Sequence, residues 1–256
     1  MKGTFTVYRK ELYRLFASPV FYVVAFIFLA LVGYFFYASV AYYSLVSFQA
    51  GSEPFLAQQL NLTDMVLEPF FGSISIVLLL MVPLITMRLF AEEKKTGTAE
   101  LLFTYPISDR GAVLGKFCAA ISVLVLLLAG TLPAMILLEV LASPPWPTII
   151  GGYLGLLLMS SAFVSLGLLA SSLTENQIIA GALSFGALLL LWIIGWAESL
   201  ASPILGSVFK YISLLTHFDN FAKGILDSRD VLYYLLFIIL FLFSTLRILE
   251  SRQWRG

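Results

Sequence analysis

Six long apolar runs constrain the fold of this chain more than any other feature of its sequence. A helix that crosses a bilayer needs about 20 mostly apolar residues, and none of the runs carries a charge in its central stretch. The runs cover residues 20–43, 69–88, 111–140, 149–173, 178–200 and 231–249. They predict an all-α polytopic membrane protein with six transmembrane helices. The third run is long enough to tilt or to extend beyond the bilayer.

The composition agrees with this prediction. Of the 256 residues, 60% are hydrophobic and 12% are charged, whereas soluble domains have roughly 45–50% apolar and about 25% charged residues. Fifteen basic residues balance fifteen acidic ones, so no net field favours nucleic acid as a partner. We expect membrane lipid to surround the apolar runs of this chain.

Lysine and arginine are distributed unevenly around the runs. Positively charged flanks stay in the cytoplasm, and twelve of the fifteen basic residues lie before the first run, around the connection between the second and third, or after the sixth. The connection 44–68 has no basic residue. We therefore expect both termini to be cytoplasmic. The twelve residues are Lys2, Arg9, Lys10, Arg14, Arg88, Lys94, Lys95, Arg110, Lys116, Arg247, Arg252 and Arg255.

Residues 1–18 have the periodicity of an amphipathic helix. Apolar side chains recur at helical spacing, and charged ones fall on other faces. The segment is predicted to lie in the cytoplasmic interface before the first span, although a basic tail that serves only topology is the alternative. The apolar residues are Phe5, Tyr8, Leu12, Leu15 and Phe16, and the charged ones are Arg9, Lys10, Glu11 and Arg14.

Residues 201–230 also have helical periodicity but are too polar to span, because they include Lys210, His217, Asp219 and Lys223. A re-entrant or interfacial pair of short helices on the outer side fits this pattern.

Several kinds of chemistry lack the residues that they need. The spans hold no ionisable group at mid-depth, which disfavours a carrier coupled to an ion gradient. The string from Gly111 to Phe117 is one residue too short for a P-loop and has no hydroxyl. One histidine and one cysteine make a metal site, a disulfide and a hydrolase site improbable. We therefore predict a chain that is no enzyme by itself, binds no cofactor and is powered by a partner.

The connection 89–110 holds the densest charge in the sequence and is the predicted contact for that partner. Gly97 interrupts the charged run, and the following residues can form a short helix that Pro106 ends. Ser108 is placed to cap the next helix, with Asp109 at its positive end. The alternative is a solvated turn whose charges serve only topology, and the pattern leaves both readings open.

Several segments resemble one known family. Residues 88–106 match the pattern R-x-x-A-E-E-K-x-x-G-T-x-E-L-L-x-x-x-P, which resembles the cytoplasmic loop of type-2 ABC exporter permeases. Residues 171–185, 213–235 and 249–255 are similar to later signatures of the gliding-motility-associated permease group within that class.

The resemblance implies one transmembrane permease domain over residues 1–256, with a connecting helix at 1–18 and a coupling helix between spans 2 and 3. It further implies a bacterial or archaeal cytoplasmic membrane, a separate ABC ATPase subunit that binds ATP and Mg, and a second permease copy or a paralogue. An outer-facing accessory protein is also possible. Residues implied at the ATPase contact are Glu92, Glu93, Lys94, Gly97, Thr98, Glu100 and Leu101. A separate set of site residues, Arg9, Lys10 and Arg14, is expected on the cytoplasmic interface helix at 1–18.

The resulting hypothesis is that this chain is the membrane subunit of an ATP-driven transporter. Relatives in the gliding-motility group can act in motility or maturation complexes, so a force-transmitting membrane scaffold without a transported substrate is the alternative. A gradient-driven carrier is the third hypothesis. It predicts substrate flux into liposomes that contain this chain but no ATPase.

Overall fold

The computed structural model describes residues 2–51, 60–97, 108–197 and 202–253, and these residues are almost entirely helical. No strand occurs within those ranges, as the sequence predicts. The helices are α1 (Lys2–Ala17), α2 (Pro19–Ala50), α3 (Glu68–Thr86), α4 (Ala91–Lys95), α5 (Asp109–Ala129), α6 (Leu132–Ala142), α7 (Trp146–Leu173), α8 (Gln177–Ile193), α9 (Pro203–Ile212), α10 (Leu214–Ala222) and α11 (Ser228–Gln253), with a π-helical turn at Thr63–Leu67.

Five stretches of the described chain are long and apolar enough to cross a membrane, and a shorter apolar helix accompanies them. The five are Pro19–Ala50, Thr63–Lys95, Asp109–Ala142, Trp146–Leu173 and Ser228–Ser251. The shorter helix is α8, which corresponds to the predicted span 178–200. Its 17 residues measure about 26 Å at about 1.5 Å per residue, a little less than the hydrocarbon core of about 30 Å.

Helix α7 forms the centre of the bundle and packs against α3, α5, α8, α10 and α11. Glycines on α7 allow its neighbours to come close, because a side chain would fill the space that they occupy. Gly152 faces the ring of Phe71, and Gly167 faces Thr86. By contrast, α2 and α11 expose most of their apolar surface, which suits helices at the lipid boundary.

The third predicted span is divided into two helices. Helix α5 ends at Ala129 and α6 begins at Leu132. Pro133 in the first turn of α6 has no amide hydrogen to donate. The hydroxyl of Thr131 lies 2.7 Å from the Leu128 carbonyl oxygen and 2.7 Å from the Tyr153 hydroxyl. The junction between α5 and α6 is therefore stabilised from α7.

Two short helices, α9 and α10, occupy the interval where the sequence predicts short helices. They lie at the end of the bundle where α7 and α11 begin. His217 Nδ1 lies 2.6 Å from Asp230 Oδ1, and Asn220 Nδ2 donates to Asp230 Oδ2 at 2.8 Å. The hydroxyl of Tyr234 donates to the Leu214 carbonyl at 2.7 Å. These bonds fasten α10 to the start of α11.

The predicted amphipathic helix is present as α1, but it lies against α5 as well as at the surface. Val7 and Glu11 are buried at 2% and 1% exposure. A Cβ on Gly115 of α5 would come within 2.9 Å of Val7, so the two helices are in close contact. The sequence placed Glu11 on a face other than the apolar one, and that placement was wrong: Glu11 is buried with Val7 because Lys116 of α5 supplies a partner for its charge.

Candidate functional site

A buried ion-pair cluster lies at the end of the bundle opposite α9 and α10. Lys116 Nζ on α5 lies 2.8 Å from Glu11 Oε1 on α1 and 2.9 Å from Glu93 Oε2 on α4. The three side chains are 0%, 1% and 5% exposed. Lys116 Nζ also donates to the Leu89 carbonyl at 2.6 Å. One ammonium group therefore joins α4 and α5 to α1, which is far from both in the sequence.

Two more basic residues of α1 extend the cluster toward its surface. Lys10 Nζ lies 3.0 Å from Glu93 Oε1, and Arg14 forms an ion pair with Glu92. Arg14 Nη1 is also 3.9 Å from Glu11 Oε2. Three carboxylates and three cations thus balance within the cluster, which limits the cost of burying charge.

The short helix α4 is suited to this position by its own sequence. Glu92 and Glu93 lie in its first turn, and Lys94 and Lys95 lie in its last. This order places opposite charges at the two ends of the helix dipole. Gly97 then adopts a φ of +68°, a left-handed conformation that glycine accepts at little cost.

Ser171, in the last turn of α7, holds the chain just before α4 and at its start. The Ser171 hydroxyl accepts hydrogen bonds from the amides of Phe90 and Ala91, both at 3.0 Å. It donates to the Met87 carbonyl at 3.0 Å. Lys94 Nζ donates to the Ser172 carbonyl. Helix α4 is therefore attached to α7 as well as to α1 and α5.

Replacing Ser171 with alanine is expected to loosen α4 from α7. The change removes the partner of two amides and one carbonyl in a buried site, so we expect about 1–3 kcal/mol less local stability. Faster hydrogen exchange at the Phe90 and Ala91 amides measures this loss. Ser165→Ala is the control, because the Ser165 hydroxyl donates within α7, to the Ala162 carbonyl. Equal exchange rates in the two variants would contradict the assigned role of Ser171.

The residues predicted at the ATPase contact separate into groups. Glu92 is 35% exposed, but Glu93 is 5% exposed and faces inward. Lys94 is partly buried and Gly97 is exposed. Thr98, Glu100 and Leu101, with the predicted coupling helix, lie outside the described residues. On α1, Arg9 is exposed, while Lys10 and Arg14 belong to the cluster.

Sequence reasoning did not identify Glu11, Lys116 or Ser171 as members of this site. One signal was available for Glu11, which lies four residues after Val7 and four before Leu15. That spacing places it on an apolar stripe of α1. A second signal was available for Lys116, which lies near the beginning of an apolar run. A charge in such a run is costly unless an opposite charge pairs with it.

The arrangement contains charges and hydrogen bonds that connect helices, rather than reactive groups. Across residues 2–51, 60–97, 108–197 and 202–253, no cluster of three histidine, cysteine, aspartate or glutamate residues could hold a metal ion. His217 lies at the far end of α7, whose 28 residues span about 42 Å. The cluster therefore joins α4 to α1 and α5.

Comparison with known families agrees with the architecture. A family model described as ABC-2 family transporter protein matches residues 5–246. No curated protein matches the chain significantly. The matched region runs from α1 into α11 and contains every residue of the ion-pair cluster. The chain therefore belongs to the ABC-2 family of transporter proteins and is a multi-pass permease of an ABC transporter.

Proposed function

We propose that this permease moves a substrate across a bacterial or archaeal cytoplasmic membrane with energy from a separate ABC ATPase subunit. The ATPase would bind ATP and Mg, and a second permease copy or a paralogue would complete the membrane part. Family membership supports the permease role. The gathering of Lys10, Arg14, Arg88 and Lys116 around one end of the bundle supports a cytoplasmic position for that end.

The observation that carries the proposal is the buried contact of Lys116 with Glu11 and Glu93. Force applied to α4 would pass through Glu93 to α1 and α5, and through Ser171 to α7. A transmission path needs stiff contacts, because a slack one would absorb the displacement before it shifted the spans between two states. Buried ion pairs and hydrogen bonds supply that stiffness.

The ATPase is proposed to dock on the exposed side of α4 and on the residues that follow it. Glu92 is partly exposed, and Lys95 and Gly97 are exposed. Glu93 is enclosed, so its contribution to coupling would be indirect, through Lys116. A substitution at Glu93 would disturb the fold as well as coupling and is a poor probe of docking.

The charge reversal Lys95→Glu tests the docking surface. We expect at least about tenfold weaker binding of the ATPase that co-purifies from the native host, with lower stimulated ATP hydrolysis, since a rim charge of the wrong sign opposes association. Lys210→Glu is the matched control: it makes the same change on an exposed residue of α9, at the opposite end. Binding that weakens equally in both variants, or in neither, would contradict docking at α4. Flux in vesicles containing both subunits separates transport from the scaffold alternative.

A further inference from the structure

A cavity of about 140 Å³ lies between α1, the start of α2 and the end of α3. By the same measure, a single water needs only about 10–15 Å³. One edge of the cavity is polar and includes Arg88 and Ser18. The other is apolar and includes Val20, Val24 and Leu84. The cavity can therefore hold a group much larger than water that is itself polar at one side and apolar at the other.

Arg88 lines this cavity and forms no ion pair among the described residues. Its Nε atom is buried and has no hydrogen-bond partner among the described residues. Its Nη1 lies 3.5 Å from Ser18 Oγ, at the long limit for a hydrogen bond. Guanidinium has five donors in a planar fork that matches phosphate oxygens. An anion at this edge would give the Arg88 guanidinium a partner of opposite charge.

The carboxylates that line the same cavity already have cationic partners. Glu92 is paired with Arg14, which also lines the cavity, and Glu11 is paired with Lys116. These pairs leave the guanidinium of Arg88 as an excess positive charge at the cavity wall. The local field therefore favours a negatively charged occupant.

The apolar edge continues onto the exposed surface of two helices of membrane-spanning length. Val20 on α2 and Leu84 on α3 line the cavity, yet they are 42% and 44% exposed. Both belong to helices long and apolar enough to span the bilayer, so this exposed apolar surface suits contact with acyl chains. A soluble anion would leave this edge of the cavity unused, whereas an amphiphile fills both edges.

We propose that a phosphate-bearing anionic membrane lipid binds here, with its phosphate at Arg88 and Ser18 and its chains along Val20, Val24 and Leu84. Basic pockets between spans are known to suit such headgroups. Ser18 is the one residue between α1 and α2, so the lipid would sit where these helices join. It would also stabilise α1 in the position that allows Arg14 to pair with Glu92.

Native mass spectrometry of the purified full-length chain, with any subunit that co-purifies, tests the site. Three probes distinguish whether the site recognises a lipid phosphate, a free phosphate or acyl chains alone. They are phosphatidylglycerol, inorganic phosphate, and a diacylglycerol that has the chains without the phosphate. We expect phosphatidylglycerol to bind at least about tenfold more tightly than either of the others. We expect Arg88→Gln to weaken phosphatidylglycerol binding about tenfold, since hydrogen bonds to charged groups are the stronger kind. Arg9→Gln, an exposed arginine of α1 that does not line this cavity, should bind like the parent chain.

A second variant keeps the test decisive if Arg88→Gln folds poorly. Leu84→Trp fills the apolar edge from a residue that is already 44% exposed, and it leaves Arg88 in place. It should weaken phosphatidylglycerol binding by a similar factor. Parent-like lipid binding in Leu84→Trp and in folded Arg88→Gln would overturn the proposal. Displacement of the lipid by inorganic phosphate at comparable concentration would also overturn it, because that result describes a site for a free anion.

Discussion

Lys116→Met should lower the free energy of unfolding by about 3–5 kcal/mol, the range measured when one partner of a buried ion pair is removed. Methionine fills a similar volume but leaves the carboxylates of Glu11 and Glu93 without the ammonium group that lies 2.8 Å and 2.9 Å from them. Thermal or denaturant unfolding in detergent, followed by tryptophan fluorescence, measures the loss. Lys95→Met is the matched control, because Lys95 is exposed on the same short helix and should change stability little.

A combined variant separates the cost of unpaired charge from the cost of lost volume. Replacing the three members together, as Glu11→Leu, Glu93→Leu and Lys116→Met, removes every charge of the central cluster. Apolar replacement of a whole buried ion pair is often neutral or stabilising, so most of the stability lost in the single variant should return. If Lys116→Met unfolds like the parent chain, or if the triple variant is less stable than the single one, the charges are not held as the structure places them.

Gly167→Leu should destabilise the bundle by about 3 kcal/mol, the upper end of the usual cost of overpacking, because the added side chain forces the backbones of a tight helix contact apart. A Cβ at Gly167 would lie 2.7 Å from the Cβ of Thr86. Thr86 is fully buried, and its hydroxyl donates to the Val82 carbonyl at 3.0 Å. Helices α7 and α3 would have to separate close to the turn that leads into α4. The yield of monodisperse protein and its unfolding temperature measure the effect.

Gly186→Leu on α8 is the matched control for this prediction. A Cβ at Gly186 would meet nothing within 4 Å, and leucine favours a helix by nearly 1 kcal/mol over glycine. The control should therefore fold as well as the parent chain or slightly better. Equal destabilisation of the two variants would mean that the contact between Gly167 and Thr86 does not limit how closely α3 and α7 pack.

Patterns along single helices predicted much of this fold. Uninterrupted apolar runs indicated the spans, because backbone hydrogen bonds in lipid must be satisfied within a helix. The Ser108 hydroxyl accepts from the Gly111 amide at 3.2 Å, as expected for the cap before α5. The start of α2 follows equally from local geometry, since Pro19 suits the first turn of a helix.

The candidate site was predicted only in part, because its contacts join distant residues. The charged segment was recognised, but the direction in which each charge points was not. Glu92 and Glu93 are neighbours of identical type, yet one is 35% exposed and the other 5%. Helical periodicity could not distinguish them, because α4 has only five residues. The neighbours on α1 and α5 determine which of the two is buried.

By itself, the sequence predicted the family of this protein, five membrane-length apolar stretches with a shorter sixth, and the first helix. Each of these follows from the hydrophobicity and spacing of residues that are close in the chain. The tertiary structure alone decided that Glu11 and Lys116, which are 105 positions apart, form a buried pair. The physical reason is desolvation: a charge can be buried only where packing brings an opposite charge to it, and periodicity within one helix carries no information about that partner.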